Sequence, residues 1–112
     1  MQHPVNFLDP AKLTPARIEI TVKFNELPKN PVTIPKNNWV RFYVNTGHIE
    51  MPVVQCTIRP GLWAKLVKAS QEVPLWVCSI TGQLGLRIKR GFILENPKVQ
   101  IFEKKPKEPK AD

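Results

Sequence analysis

Three side chains with chemistry to offer stand at alternate positions of one short stretch: Trp39, Arg41 and Tyr43 interleave with Val40, Phe42 and Val44. Successive side chains of an extended strand point to opposite faces, so the aliphatic and phenyl groups form one side while indole, guanidinium and phenol share the other. Two aromatic rings flanking a planar cation suit single-stranded nucleic acid, whose unstacked bases lie on aromatic faces while cations hold the backbone. Each such stack contributes about 1–3 kcal/mol. Further cations extend the track: Arg17 and Lys23 on the outward side of the preceding strand, Arg59 at the end of the hairpin, and Arg87, Lys89 and Arg90 at a later turn. At each of these positions the bland reading weighs as much as the functional one, since amphipathic rings cover a barrel rim and surface cations keep a protein in solution.

Other chemistry is thinly represented. The nitrogen and sulfur ligands are His3, His48, Cys56 and Cys78, with no C-x-x-C or H-x-x-x-H spacing among them, so no metal or other cofactor is expected. Glycine-rich phosphate loops and nucleophile elbows are missing, and Glu19, Glu26, Glu50, Glu72 and Glu95 are scattered singly, so no enzyme is expected. His48 beside Glu50 resembles a base with its partner in spacing alone, and a solvated turn histidine is the commoner case. Cys56 and Cys78 sit among apolar strand residues and read as buried free thiols.

The net charge is +8, with a pI near 9.8. The segment from Glu103 onward holds four lysines against three acids, which leaves +7 on residues 1–102. A basic folded part favours a polyanionic partner. No apolar run approaches the roughly 18 residues that span a bilayer, and the start MQHPVNFLDP lacks the features of a secretory signal, so a cytoplasmic protein with no membrane partner is expected.

The elements that must position these residues are short. Residues 1–16 carry Pro4, Pro10 and Pro15 and no sustained period, which predicts an irregular arm, pinned by Phe7 and Leu8. Ile18, Ile20, Val22 and Phe24 alternate with Arg17, Glu19, Thr21 and Lys23 in a half-buried strand over 17–25, and the proline- and asparagine-rich 27–38 predicts a surface loop. Trp39 to Arg59 reads as a hairpin turning at Asn45-Thr46-Gly47, with a β-bulge near Pro52 to Val54 where the apolar phase changes. Pro60 to Ser70 is the helix, with Leu62, Trp63, Leu66 and Val67 on one stripe. Trp63 and Trp76 read as core residues where the helix meets the sheet. Leu75 to Ile80 is a strand broken at Thr81-Gly82, followed by Leu84 to Ile88, a turn at Arg90-Gly91, Phe92 to Leu94, and a last strand Lys98 to Phe102 after Asn96-Pro97. The tail 103–112 is Lys, Glu and Pro and is expected to be disordered. The sum is one mostly β domain over 17–102, an OB-fold-like β-barrel of five to six strands with one short α-helix between the third and fourth main strands.

Several of these runs carry a resemblance: Ile18-Glu19-Ile20-Thr21-Val22-Lys23, Trp39-Val40-Arg41-Phe42, Thr57-Ile58-Arg59-Pro60 with Trp63-Ala64-Lys65-Leu66, Pro74-Leu75-Trp76-Val77, and Gly91-Phe92-Ile93-Leu94-Glu95. From Arg17 onward the chain resembles a small cyanobacterial family labelled fertility-inhibition FinO-like protein. The resemblance implies RNA binding and help with RNA duplex formation. It lies in spaced aromatics and glycines, and it carries across no functional residue. From residues and resemblance together, the expected function is non-catalytic binding of single-stranded RNA or DNA, RNA ahead of DNA. The alternative is an interaction module or accessory subunit that binds an acidic protein partner through exposed Trp39, Tyr43 and Met51.

Overall fold

A computed structural model describes residues 8–104, so Phe7, His3 and the tail 105–112 lie outside the described residues. Leu8 is 67% exposed and pins nothing, and among the described residues of the arm Pro10–Lys12 form a 3-10 turn, where Asp9 Oδ1 accepts from the Ala11 amide at 3.1 Å. Six strands follow: β1 (Ile20–Phe24), β2 (Val32–Thr33), β3 (Val40–Asn45), β4 (Val53–Ile58), β5 (Leu75–Ile88) and β6 (Gly91–Lys104), with α1 (Pro60–Glu72) between β4 and β5. They form one mixed sheet in the order β1-β5-β6-β4-β3-β2, in which only the β4–β6 pair is parallel. The fold is thus mostly β with one helix, as the alternation predicts, but the sheet does not close: β1 and β2 are its two ends and no ladder joins β1 to β3.

One face of this sheet is the core. Val22 of β1, Val40 and Phe42 of β3, Val54, Cys56 and Ile58 of β4, Trp76, Cys78 and Ile80 of β5, and Phe92 and Leu94 of β6 are all buried on it. The helix covers that face. Pro60 occupies its first turn, Leu66 and Ala69 are buried, and Trp63 brings its ring to 5.6 Å from that of Phe42. Burying a side chain such as Leu66 contributes about 1.5–3 kcal/mol, more than the helix's own propensity supplies, so tertiary packing holds α1 in place. Pro74 lies just past its end, where the Val73 amide still reaches the Ala69 carbonyl at 3.0 Å. Among the described residues no helix is long and apolar enough to cross a membrane.

The curvature comes from places where the sequence suggests breaks. β5 runs unbroken through Thr81-Gly82 and β6 through Asn96-Pro97, because these two stretches lie opposite each other. Between the pairs Thr81↔Lys98 and Gln83↔Glu95, β6 holds one residue more than β5, and Asn96 takes up the change with φ 51°. This bulge absorbs Pro97, which cannot donate to a ladder, and switches the inward set of β6 from Phe92 and Leu94 to Val99 and Ile101. A second irregularity, between Leu84↔Leu94 and Arg87↔Phe92, adds a residue on β5. The turn is at Lys89-Arg90, not Arg90-Gly91, and Gly91 opens β6 directly against Val53. A Cβ at Gly91 would collide with the Val53 carbonyl, so the parallel β4–β6 ladder requires glycine there.

Two further expectations need correction. Strand β1 begins at Ile20 rather than Arg17, because its partner β5 bends away at the bulge beyond Gly82. The β3–β4 register is regular from Val40↔Ile58 to Asn45↔Val53, so no bulge forms near Pro52. Ile49, 92% exposed, and Met51 belong instead to a loop over 46–52. That loop is built by side chains: Asn45 Oδ1 accepts from Gly47 N at 2.9 Å, and His48 Nδ1 accepts from both Glu50 N and Met51 N at 3.2 and 3.1 Å. His48 is therefore engaged in holding a turn.

Cys56 and Cys78 are free and fully buried, as their apolar neighbours predict. Burial pushes Cys56 from 9.0 up to about 12, with Cys78 adding to the rise, and pushes Cys78 up to about 11. The folded thiols therefore hold their protons at pH values where the unfolded chain releases them, so stability is undiminished below pH 9 and falls as pH rises above it. We expect the urea midpoint to decline from about pH 9 upward, and less steeply in a Cys56→Ala/Cys78→Ala variant; identical slopes would contradict this account.

Candidate nucleic-acid interface

The face opposite the core is built by the same alternation read outward. On β3 it carries Arg41 and Tyr43, with Trp39 one step before the strand, and on β4 it carries Gln55, Thr57 and, one step after, Arg59. The register sets Arg41 beside Thr57 and Tyr43 beside Gln55, while Trp39 and Arg59 flank the end of the ladder. The expected grouping of indole, guanidinium and phenol on one exposed sheet face is present. At about 3.3 Å per residue, Trp39 and Tyr43 lie about 13 Å apart along the strand, so each ring would serve a separate base.

Each of these side chains is held differently. Trp39 is half-buried and fixed through its backbone: its amide donates to Asn37 Oδ1 at 3.0 Å and its carbonyl accepts from Ile34 N at 2.8 Å. The Arg59 guanidinium lies over its ring, 5.8 Å from the centroid. Tyr43 is 47% exposed and its hydroxyl donates to Gln55 Oε1 at 3.1 Å, which ties the end of the side chain to β4. Arg41 is half-buried, and its Nε is enclosed with no acceptor. A buried donor left unpaired costs about 1–3 kcal/mol, and being enclosed this one is out of reach of an anion in solvent. No side chain caps α1 and its first turn carries no acid, so nothing negative on the helix competes for Arg59.

The remaining cations fall into three places. Lys23 is exposed on the outward side of β1, at the other end of the sheet, yet the curl brings it to the same cleft as Tyr43: a space of about 540 Å³ is lined by 21–29 and 43–46. Arg87, Lys89 and Arg90 are exposed at the β5–β6 tip, and the Arg90 carbonyl accepts from Val53 N at 3.1 Å. That contact sets the tip beside the start of β4, so cations stand at both of its ends. Arg17 is the exception. It lies in exposed, irregular chain before β1, and no element carries it to the aromatic face.

Sequence reasoning did not include Gln55, Thr57 or Lys98 in this surface. The first two were legible, since Val54, Cys56 and Ile58 alternate inward and leave Gln55 and Thr57 outward. Lys98 was not, because its place depends on the bulge at Asn96. Below Gln55 and Ile93 strands β4 and β6 part, and the gap, about 450 Å³, is lined by Trp39, Thr57, Arg59 and Lys98 over a floor of Ile58, Leu62 and Val99.

No protein-family model matches the chain, and no curated protein and no solved structure matches it. The chemistry of the surface therefore stands on its geometry.

An exposed guanidinium over an indole contributes about 0.5–1 kcal/mol. We expect Arg59→Ala to lower unfolding stability by that amount, and the loss to disappear when Trp39 is already leucine. Equal losses in both backgrounds, by urea denaturation, would remove the contact from the account.

Proposed function

We propose that this chain is a non-catalytic protein that binds single-stranded nucleic acid, RNA ahead of DNA, on the outer face of β3 and β4. The observation that carries the reading is the placement of Arg41 between Trp39 and Tyr43 on one outward strand face. Rings supply stacking that tolerates any base, and cations supply backbone attraction, which together are what single-strand binding requires. Arg59, Arg87, Lys89 and Arg90 at the ends of β4, and Lys23 across the cleft from Tyr43, supply the cationic field. Arg17 has no support in this role.

The OB-like barrel belongs to the same reading. It is supported by the five longer strands, with the helix between the third and fourth, and by the approach of β1 to β3 at Phe24 and Phe42, 5.8 Å apart. OB-folds bind oligonucleotides on the face of their second and third strands and on adjacent loops. The corresponding strands here, omitting the two-residue β2, are β3 and β4.

A second reading, an interaction module for a protein partner, has one feature in its favour, an apolar patch rather than one that selects acidic groups. Leu75, Val77 and Phe102 are exposed at the far end of the β5–β6 hairpin, where Val77 pairs with Phe102, and they border a depression of about 390 Å³.

Fluorescence anisotropy with labelled single-stranded RNA, single-stranded DNA and duplex, at several salt concentrations, separates the two. We expect the single strands to bind best and log Kd to rise linearly with log salt, with Trp39→Ala and Tyr43→Ala each weakening binding about tenfold or more. No titration at low salt would exclude nucleic acid and favour the protein partner.

A further inference from the structure

The fork between β4 and β6 is the part of this surface that a row of aromatic platforms does not explain. The two strands pair only at Val53↔Gly91, Val54↔Phe92 and Gln55↔Ile93. Beyond Gln55 on one side and Ile93 on the other the strands separate, and along the rest of its length β6 has a strand neighbour on the β5 side alone. Peptide groups of a strand point alternately to its two edges, so every second N–H and C=O along both arms of the fork faces the gap. Open peptide groups of this kind must find water or a ligand.

The gap is also chemically mixed in a particular way. Its floor is apolar, made by Ile58, Leu62 and Val99, while its mouth carries the Trp39 indole, the Arg59 guanidinium, the Lys98 ammonium and the Thr57 hydroxyl. It opens on the outer face, since Thr57 lies beside Arg41 and Lys98 lies beside Thr81, both outward positions. At about 450 Å³ it falls within the range of small-ligand sites, about 300–1,000 Å³. A flat heteroaromatic ring with donors and acceptors along its edge, joined to an anion, satisfies every part: the ring lies against indole and aliphatic floor, its edge meets the open peptide groups, and the anion meets Arg59 and Lys98. A nucleotide has that construction. An acidic peptide offers the anion without the ring, and an aliphatic chain offers neither.

We propose that this fork is a base-reading subsite: one nucleobase of a bound single strand leaves its neighbours and enters between β4 and β6, replacing the Arg59 guanidinium over the Trp39 indole, with its phosphate held by Arg59 and Lys98. The inference rests on the single-strand reading above and adds specificity to it. Tyr43 stacks any base, whereas the fork hydrogen-bonds the edge of the base it admits and so prefers some bases over others.

The test measures the affinity of single-stranded RNA oligomers of uniform base, one for each base, for the full chain and for Thr57→Trp, Lys98→Glu and Tyr43→Ala. Thr57→Trp fills the mouth from an outward position on β4, and Lys98→Glu reverses its charge without adding bulk. We expect the wild-type chain to favour one base by fivefold or more. Thr57→Trp should weaken that base at least tenfold and bring the others level with it, and Lys98→Glu should weaken the same oligomer at least tenfold. Tyr43→Ala should weaken all oligomers while keeping their order. If Tyr43→Ala weakens binding but Thr57→Trp and Lys98→Glu leave affinity and order within twofold of wild type, the fork is not a subsite and the β3 platform stands alone. If the wild-type chain binds no oligomer, the single-strand reading fails and the subsite fails with it.

Discussion

The contact on which the architecture depends is an edge-to-face pair of phenyl rings. Phe24 belongs to β1, at one end of the sheet, and Phe42 to β3, near the other, yet their rings lie 5.8 Å apart at 74°. Phe24 also meets Trp76 at 6.5 Å, and Phe42 meets Trp63 of the helix at 5.6 Å. Beyond the area they bury, aromatic pairs of this kind contribute about 0.5–1.5 kcal/mol each, and here they take the place of a missing backbone ladder. A flat sheet of this order would hold Phe24 and Phe42 four strand spacings apart. The rings can meet because two bulges in the long β5–β6 hairpin turn the sheet over, while Gly91 lets β4 approach β6 closely enough to pair in parallel.

That curl decides the outer face as much as the inner one. Bringing β1 round toward β3 sets Lys23 at the same cleft as Tyr43, and anchoring the hairpin tip at Val53 places Arg87, Lys89 and Arg90 beside the β4 end remote from Arg59. Strands β4 and β6 part beyond Gln55 and Ile93, shortly before the bulge at Asn96, while β4 stays paired with β3 to Ile58. The curl thus gathers a cationic rim around an aromatic strand face that alternation alone sets.

What the sequence revealed and what it concealed divide along local and nonlocal lines. The alternation in Val40 to Val44 and in Val54 to Ile58 assigned both faces of the central hairpin, and the stripe of Leu62, Trp63 and Leu66 assigned the helix, because each depends on neighbours within a few residues. Thr81-Gly82 and Asn96-Pro97 misled for the same reason. Each has the composition of a break, but they lie opposite one another and together make a single bulge, which neither stretch discloses alone. The 46–52 loop was misjudged because the His48 ring, not a tight turn, satisfies its amides. Arg17 was assigned to a strand face by alternation that continues past the end of the pairing with β5, and Lys98 was missed because its phase is set by the bulge.

The central claim is that ligand is held on the outward face of β3 and β4 and not elsewhere on the sheet, and the most direct measurement is an amide chemical-shift titration of isotopically labelled protein with a short single-stranded RNA. The account predicts that the largest shifts fall on 39–43, 55–59 and 89–90, with smaller ones near Lys98. Shifts confined to Leu75, Val77 and Phe102, or none at any ratio of RNA to protein, would contradict it.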